Sequence, residues 1–249
     1  MSPVVRALRQ RHIAIGNFFF RYRNALFPVI FVLAALTMRP THFFRDPFLN
    51  QMVIVKGTAI ALLGELVRLT TIGYEYIERG GKNRQVYASS LVRKGIYAHT
   101  RNPMYVGNAL IAIGVTLVTS SPMTYAIVIP FFLYVYWSLI SAEEAYLLKR
   151  FGDEYRAYCD AVPRFFPSFR GLRSTLALPY DWKRAVRKEL STIAGLLLGL
   201  IALSLGRTYF LHGWTAAQAA APQALMVMAG ILILYGFLVA LKRARHFFY

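Results

Sequence analysis

The fold of this chain is decided by residues 89–107, SSLVRKGIYAHTRNPMYVG, which lead into a long apolar run. A second polar stretch, residues 142–167, AEEAYLLKRFGDEYRAYCDAVPRFFP, begins where that run ends. No Asp, Glu, Lys or Arg occurs between Asn102 and Ala142, and a Ser-Ser-Pro turn divides the run in two. Two apolar helices joined by so short a turn lie antiparallel as a hairpin. We therefore expect the two polar stretches to meet at one end of this hairpin and to fold over one charged small molecule.

The composition is that of a membrane protein. Hydrophobic residues make up 57% of the 249 residues, charged residues only 16%, and the mean hydropathy is +0.43. Such values, with long uncharged runs, indicate membrane spans. A net charge of +18 is also typical of nucleic-acid binding, but here Lys and Arg lie between the apolar runs, as they do in cytoplasmic loops. We therefore expect the lipid bilayer as a partner and no nucleic acid.

The single cysteine, Cys159, excludes an internal disulfide, and its surroundings have no spacing typical of a metal site. No small-residue cleavage site follows the first apolar run, so we expect no cleavable signal peptide. The sequence leaves the oligomeric state open.

Six apolar segments predict an all-α fold, a polytopic membrane bundle of about six transmembrane helices. They cover about residues 24–38, 52–73, 103–119, 122–141, 190–206 and 222–241. The fourth segment is expected to continue as a cytosolic amphipathic helix that ends at Val162-Pro163, with Leu148, Phe151, Tyr155 and Tyr158 on the face of Glu144. Gly152 lies inside this helix, where it suggests a close packing contact.

The segments group into three parts. Residues 1–51 hold a basic arm, expected to be solvated or to face headgroups, and the first span. Residues 52–167 form the core, with spans two to four and the cytosolic helix, and residues 168–249 hold a basic linker and two further spans. Lys and Arg alternate between abundant and scarce in successive polar segments. The positive-inside rule then predicts that both termini and both polar stretches are cytoplasmic.

The second span contains ionisable residues. Glu65 and Arg68 are three residues apart, so they share a helix face and could pair. Charged groups in a span usually face the bundle interior or a wet cavity. The alternative is that Arg68 only reaches the headgroups near the end of the span.

The two polar stretches resemble the signature of the isoprenylcysteine carboxyl methyltransferase and phospholipid methyltransferase superfamily, integral membrane enzymes that use S-adenosylmethionine. The first part, Gly-X-Tyr, Arg-Asn-Pro and X-Tyr-X-Gly, is found at Gly95, Tyr97, Arg101, Asn102, Pro103, Tyr105 and Gly107. The second, Glu-Glu, Phe-Gly-X-X-Tyr-X-X-Tyr and Val-Pro, is found at Glu143, Glu144, Phe151, Gly152, Tyr155, Tyr158, Val162 and Pro163. The resemblance covers about residues 57–167 and is to the bacterial branch, which implies a bacterial inner membrane.

The resemblance implies that S-adenosylmethionine is the cofactor. Its contacts are expected at Asn83 (or the neighbouring Lys82), Leu91, Val92, Tyr97, Asn102, Pro103, Tyr105, Gly107, Glu143 and Glu144. The carboxylates suit the cationic end or the ribose hydroxyls, and the tyrosine rings suit the adenine or the sulfonium. Arg101, or backbone N–H groups at a helix start, suit the carboxylate of the cofactor. Periodicity puts Glu144 rather than Glu143 on the tyrosine face, so both remain candidates, and each tyrosine alone is also typical of an interfacial aromatic belt.

The methyl acceptor is expected to be lipophilic or amphiphilic, with a carboxylate oxygen, an amine nitrogen or a thiol sulfur as the accepting atom. The eukaryotic carboxyl methyltransferases carry a substrate-binding Arg four residues before the cofactor Glu. Here that position falls on Leu139 or Ile140, so the resemblance does not extend to recognition of a prenylcysteine carboxylate. Arg68, Glu65 and Arg101 are the candidate catalytic residues, and Arg68 is the candidate for orienting the acceptor.

The expected route has the cofactor entering from the cytosol under a lid of residues 80–101 and 155–167, and the acceptor entering from the bilayer. Two other functions stay open. One is an NADPH-dependent enzyme like the sterol reductases, and the other is a membrane protein without enzymatic activity.

Overall fold

The structure is a computed structural model that describes residues 3–75 and 85–243. Its regular elements are helices, which confirms the predicted all-α membrane fold. They are α1 (Pro3–Leu36), α2 (Pro47–Tyr74), a 3₁₀ turn (Gly95–Ala98), α3 (Pro103–Val118), α4 (Pro122–Ala161), α5 (Leu172–Leu176) and α6 (Trp182–Arg243). Asn83 and Lys82, predicted to contact the cofactor, lie outside the described residues.

The helix starts follow local chemistry. The Asp46 carboxylate accepts from the N–H of Phe48 at 2.8 Å, and the Ser121 hydroxyl accepts from the N–H of Thr124 at 3.3 Å, so each satisfies a backbone donor of a first helical turn. Both helices then begin with proline, as does α3 at Pro103. Proline is favoured there because its missing N–H would have no helical partner anyway.

The predicted fifth and sixth spans form the two halves of α6. Gly213 divides them, with φ 82° and ψ −178°, a backbone conformation that favours glycine. The Lys242 ammonium donates to the carbonyl of Arg187 at 3.4 Å, so the end of the second half lies beside the start of the first. The two halves are therefore an antiparallel hairpin, and its second half begins well before Pro222, the start predicted for the sixth span.

Three helices in the described part of the chain are long and apolar enough to cross a membrane, with candidate segments Gln10–Leu36, Pro122–Ala161 and Trp182–Arg243. The other two long elements lie against each other. α2 carries Lys56, Glu65 and Arg68, and α3, with 16 residues, spans only about 24 Å.

α2 and α3 pack through glycines spaced seven residues apart on both helices. A Cβ on Gly64 would lie 2.6 Å from the carbonyl oxygen of Gly107, and one on Gly114 would lie 2.5 Å from that of Gly57. Only glycine permits backbones this close, as in other membrane helix pairs. This contact fixes where Gly107 and Arg68 stand relative to each other.

Connecting segments cluster at the two ends of the bundle. At one end the N–H of Thr41 donates to the carbonyl of Ser120 at 2.9 Å, and Arg207 donates to the Ser120 hydroxyl at 3.0 Å. At the opposite end the N–H of Arg101 donates to the carbonyl of Pro163 at 2.9 Å. The two polar stretches therefore meet at the same end, as the hairpin predicted.

The basic arm packs in part against α4. Residues 3–23 continue directly into the first apolar segment as one helix, and Arg11 and Arg21 on it are exposed. A Cβ on Gly16 would lie 2.1 Å from the carbonyl oxygen of Ser138, and Phe20 joins the core with α4. The small and aromatic residues among the arginines allow the arm to pack against α4.

Candidate functional site

The site is framed by two segments that run alongside each other, the 95–102 loop and residues 162–168. The N–H of Ser168 donates to the carbonyl of His99 at 2.9 Å, alongside the Arg101–Pro163 bond. The Thr100 hydroxyl donates to the carbonyl of Phe165 at 3.1 Å, and the Asn102 amide donates to that of Arg164 at 3.1 Å. The stretches predicted to form a lid are thus fastened to each other by hydrogen bonds.

His99 strengthens this frame. Its Nδ1 lies 2.8 Å from the carbonyl oxygen of Ser168, and its Nε2 lies 2.8 Å from the hydroxyl of Thr175. A carbonyl only accepts, so Nδ1 donates, and in the neutral ring Nε2 then accepts from the hydroxyl. The imidazole is buried, and it fastens the two segments to each other.

Tyr105 and Glu143 join the two polar stretches directly. The Tyr105 hydroxyl donates to Oε1 of Glu143 at 2.6 Å. Tyr105 stands in the first turn of α3, and Glu143 stands where the apolar part of α4 ends. The contact brings together residues that the sequence places at the two ends of the hairpin.

Glu144 has a different set of partners. Arg164 binds it through two donors, with Nη2 2.8 Å from Oε2 and Nε 3.1 Å from Oε1. Nη1 of Arg101 lies 3.9 Å from Oε1 of Glu144. The two adjacent carboxylates therefore differ: Glu143 accepts from a phenol, and Glu144 is paired with guanidinium groups.

Arg101 is the side chain best suited to a further ligand. Its Nε is buried and has no hydrogen-bond partner among the described residues. A buried donor of this kind is costly unless something accepts from it. A carboxylate of a bound small molecule would suit it, and S-adenosylmethionine carries such a group.

The C-terminal part of α4 is not one straight helix. Gly152 has φ 54° and ψ −121°, and a Cβ there would meet nothing within 4 Å. Gly152 is therefore explained by a kink that needs positive φ, and the packing contact suggested by the sequence is not found.

Beyond this kink the predicted apolar face is present. Tyr155, Tyr158 and Val162 form a buried cluster with Leu91 packed against it. The Tyr158 hydroxyl donates to the carbonyl of Tyr97 at 2.8 Å. Burial raises the pKa of the Tyr158 phenol well above its usual range, so it stays a neutral donor.

A second polar cluster lies between α2, α3 and α6. Nη2 and Nε of Arg68 lie 2.5 and 3.1 Å from Oε2 of Glu189, and Nη1 contacts the side-chain oxygen of Asn108. Glu65 lies 3.5 Å from Arg68, so the predicted pair within α2 is present. Arg68 and Glu189 are both buried, which excludes the reading of Arg68 as a headgroup anchor.

Gly107 belongs to this second cluster. A Cβ at this position would lie 2.6 Å from Cγ of Arg68 and 2.7 Å from the carbonyl oxygen of Gly64. The absence of a side chain therefore lets Arg68 lie across α3. Among the residues predicted to contact the cofactor, Gly107 faces α2. Tyr105, Asn102 and Pro103 instead lie beside the polar groups of Arg101, Glu143, Glu144 and Arg164, which are here called the first cluster.

Sequence reasoning missed Arg164, Asn108 and Glu189. Arg164 and Glu144 are separated by the Gly152 kink, and Glu189 is 121 residues from Arg68, so no helical spacing relates either pair. One signal was present: Glu189 stands alone as an acid at the start of an apolar segment, where ionisable residues usually face a partner.

Comparison of the sequence with known proteins identifies a family. A family model described as "Phospholipid methyltransferase" matches residues 52–154. The cobalt-zinc-cadmium resistance protein CzcN of Cupriavidus metallidurans is 30% identical over 159 residues, which cover 62% of this chain and 68% of that protein. The chain belongs to the isoprenylcysteine carboxyl methyltransferase and phospholipid methyltransferase superfamily.

Two members of this superfamily are named for a substrate. The protein-S-isoprenylcysteine O-methyltransferase of Saccharomyces cerevisiae is 29% identical over 120 residues, and the human protein of that name is 29% identical over 128 residues. The chain spans about half the length of these two relatives, 48% and 44%. No solved structure matches the chain with statistical significance.

The superfamily match and the site overlap only in part. Residues 52–154 contain Arg68, Tyr105 and Glu143. Arg164 and Glu189, which bind Glu144 and Arg68, lie beyond the matched range. The chain is a membrane methyltransferase of this superfamily, and two of its ion-pair partners lie outside the range of the family model.

Proposed function

We propose that the protein transfers a methyl group from S-adenosylmethionine to a lipophilic or amphiphilic acceptor at the cytoplasmic face of the membrane. The observation that carries the proposal is the 2.6 Å hydrogen bond from Tyr105 to Glu143. It gathers both halves of the superfamily motif at one end of an uncharged hairpin, beside Arg101, whose Nε is buried. Membership in a superfamily of membrane methyltransferases supports the same chemistry.

The residues of the first cluster fit the functional groups of the cofactor. Glu143, and beside it Glu144, offer negative charge to its ammonium or hydrogen bonds to its ribose. Arg101 offers the buried Nε to its carboxylate. A bidentate or charge-assisted hydrogen bond of this kind is roughly twice as strong as a neutral one.

The flat and apolar parts of the cofactor need a different surface. Tyr97 and Tyr105 offer ring faces, while Asn102 and Pro103 shape the start of α3. Leu91, which packs against the cluster of Tyr155 and Tyr158, and Val92 are proposed to contact the cofactor. A contact from Asn83 is proposed on the resemblance alone. When bound, S-adenosylmethionine supplies an activated methyl group, so the protein needs only to align the partners and exclude water.

We place the acceptor at the second cluster. Arg68 and Glu65 lie about one and a half and two and a half turns from the end of α2, on the far side of Gly107 from the 95–102 loop. Arg68 is proposed to orient the polar end of the acceptor, whose accepting atom is a carboxylate oxygen, an amine nitrogen or a thiol sulfur. Because Glu189 already neutralises Arg68, an anionic acceptor would have to compete with Glu189.

The proposed orientation follows the charge distribution. Lys and Arg concentrate in segments at the end of the bundle where Arg101 and Pro163 meet, so we place this end, and both termini, in the cytoplasm. The cofactor then reaches the 95–102 loop from the cytosol, and the acceptor arrives from the bilayer. A bacterial inner membrane is the proposed location.

Calorimetric titration of the purified protein tests the proposal. S-adenosylmethionine and S-adenosylhomocysteine are expected to bind, and NADPH is not. A matched pair of variants locates the site: Arg101→Gln is expected to weaken S-adenosylhomocysteine binding, whereas Arg93→Gln, which removes a half-exposed charge, is expected to leave it unchanged. Binding of NADPH alone would favour a reductase instead, and binding of none of the three would reject the cofactor assignment.

A further inference from the structure

The segment between α4 and α6, residues 162–181, is here called the connector. Near its start the ring of Phe165 stacks on that of Trp137, with centroids 5.4 Å apart and an angle of 24°. Trp137 belongs to the uncharged part of α4, five residues before Ala142. The start of the connector is therefore at the depth where the apolar part of α4 ends.

The end of the connector is fixed at a similar depth on another helix. The Tyr180 hydroxyl donates to the carbonyl of Leu69 in α2 at 3.2 Å, and the N–H of Asp181 donates to that of Gly73 at 2.9 Å. Only glycine fits at position 73, because a Cβ there would lie 2.0 Å from the Tyr180 ring. The connector thus runs across the bundle end, between the boundaries of two apolar helices.

Between these ends the connector exposes large apolar side chains. Phe166 is 88% exposed and Phe169 is 75% exposed, and Leu176 and Leu178 are about half exposed. The backbone that carries the two phenylalanines is held by the bonds of His99 to Ser168 and Thr175. The two rings therefore project from a segment that hydrogen bonds hold in place. Large apolar side chains exposed in this way indicate a surface that contacts an apolar environment.

The charges of the connector indicate what that environment is. Arg170 and Arg173 are exposed beside the phenylalanines, and no acidic residue occurs between Asp160 and Asp181. Aromatic rings next to arginines, without acids, are typical of segments that lie in the headgroup layer of a membrane. Anionic headgroups attract such arginines at short range.

We propose that the connector lies in the headgroup layer of the leaflet on the side of Glu143, with Phe166 and Phe169 inserted at the acyl boundary and Arg170 and Arg173 on the phosphates of anionic phospholipids. The occupant of this surface is the bilayer that already surrounds the helices. This inference concerns where the connector lies and does not depend on methyl transfer.

Spin labels on single cysteines test the position directly. Cys159 is first replaced by serine, and cysteines are then introduced by Phe166→Cys and Phe169→Cys in protein reconstituted into nanodiscs. Collisions with oxygen report the lipid phase, and collisions with a water-soluble nickel chelate report the aqueous phase. Ile233→Cys, in the apolar second half of α6 and 73% exposed, is the lipid control, and Asp153→Cys, whose native side chain is 90% exposed, is the water control.

The expected result is that labels at 166 and 169 lose nickel accessibility relative to position 153 and gain oxygen accessibility toward that of position 233. Labels at both positions that behave like position 153 would overturn the proposal and would indicate a surface for a soluble partner. Since both side chains are exposed, the substitutions leave the packed core intact, and each position checks the other.

Lipid composition tests the charge half of the proposal. With phosphatidylglycerol added to phosphatidylcholine nanodiscs, the label at 169 is expected to lose further nickel accessibility. The double variant Arg170→Gln with Arg173→Gln is expected to abolish this lipid dependence. Equal accessibility in both lipids with the native arginines present would contradict the assignment of Arg170 and Arg173 to anionic headgroups.

Discussion

Nη2 of Arg68 lies 2.5 Å from Oε2 of Glu189, although the two residues are 121 positions apart in the chain. The contact links α2, inside the range matched by the family model, to α6, outside it. Glu189 is 0% exposed, so neither charge can be solvated if the other is removed. The C-terminal hairpin is therefore part of the same polar interior as the motif helices.

Removing Glu189 is expected to destabilise the protein strongly. Glu189→Ala removes the nearest carboxylate from the buried Arg68 and leaves only Glu65, at 3.5 Å, beside it. Breaking a buried ion pair costs up to about 3–5 kcal/mol, so Glu189→Ala is expected to unfold more easily in a denaturant titration. Glu154→Ala is the matched control, because its pair with Arg93 is half exposed on both sides and contributes only about 0–1 kcal/mol. Equal stability of the two variants would show that the Arg68–Glu189 pair is not formed.

A substitution of Arg68 distinguishes a role in orienting the acceptor from a purely structural role. Arg68→Lys keeps a positive charge for Glu189 but loses the planar fork that grips two partners. We expect turnover of an amphiphilic acceptor to fall strongly while S-adenosylhomocysteine affinity, measured by calorimetry, stays at the native value. A fully active Arg68→Lys protein would contradict the orienting role, and loss of both properties would indicate a structural role instead.

Close packing of α2 and α3 gives a second stability prediction. Gly107→Ala would place a Cβ 2.6 Å from Cγ of Arg68, and overpacking of this kind costs about 1–3 kcal/mol. Gly199→Ala serves as the control, since a Cβ there meets nothing within 4 Å. A lower thermal midpoint is expected only for Gly107→Ala, and an unchanged midpoint would mean that the two helices are further apart than described.

Orientation in the membrane is tested by cysteine labelling from each side. Arg156→Cys and Lys183→Cys are expected to react with a membrane-impermeant maleimide only from the cytoplasm, and Arg45→Cys only from outside. All three positions are exposed at the ends of the bundle. Labelling of Arg45→Cys from the cytoplasm alone would reverse the topology derived from the charge distribution.

Patterns along the chain predicted most of the fold because they act locally. Charge-free runs marked the hairpin of α3 and α4, Pro103 marked a helix start, and Val162-Pro163 marked a helix end. Periodicity predicted the apolar face beyond Gly152 but not the kink that its positive φ produces. Periodicity also could not assign the adjacent carboxylates of Glu143 and Glu144, which bind Tyr105 and Arg164 respectively.

Contacts between distant segments were beyond local patterns. Nothing near Glu144 indicates that Arg164 returns to it, because that return depends on the bonds of Asn102 and Arg101 to residues 163 and 164. The packing of the basic arm was missed for a related reason. Its arginines are typical of a solvated segment, whereas Gly16 and Phe20 determine how it contacts α4.

The hydrogen bond between Tyr105 and Glu143 yields a prediction for cofactor affinity. Glu143→Ala removes a charge-assisted partner, which costs about 1.5–3 kcal/mol, or roughly tenfold or more in affinity for S-adenosylmethionine. Glu144→Ala measures the second carboxylate separately, and Glu154→Ala controls for loss of an acid elsewhere on α4. Native affinity in both the Glu143 and Glu144 variants would remove these carboxylates from the cofactor site.

Methyl transfer by the purified protein tests the central claim most directly. Reconstituted protein is incubated with S-adenosylmethionine labelled in the methyl group and with a bacterial membrane lipid extract, and radioactivity is measured in the organic phase. We predict time-dependent incorporation by the native protein and by Glu154→Ala, and strongly reduced incorporation by Glu143→Ala. Equal incorporation by the native protein and by the Glu143→Ala variant would contradict the assignment of this site to methyl transfer.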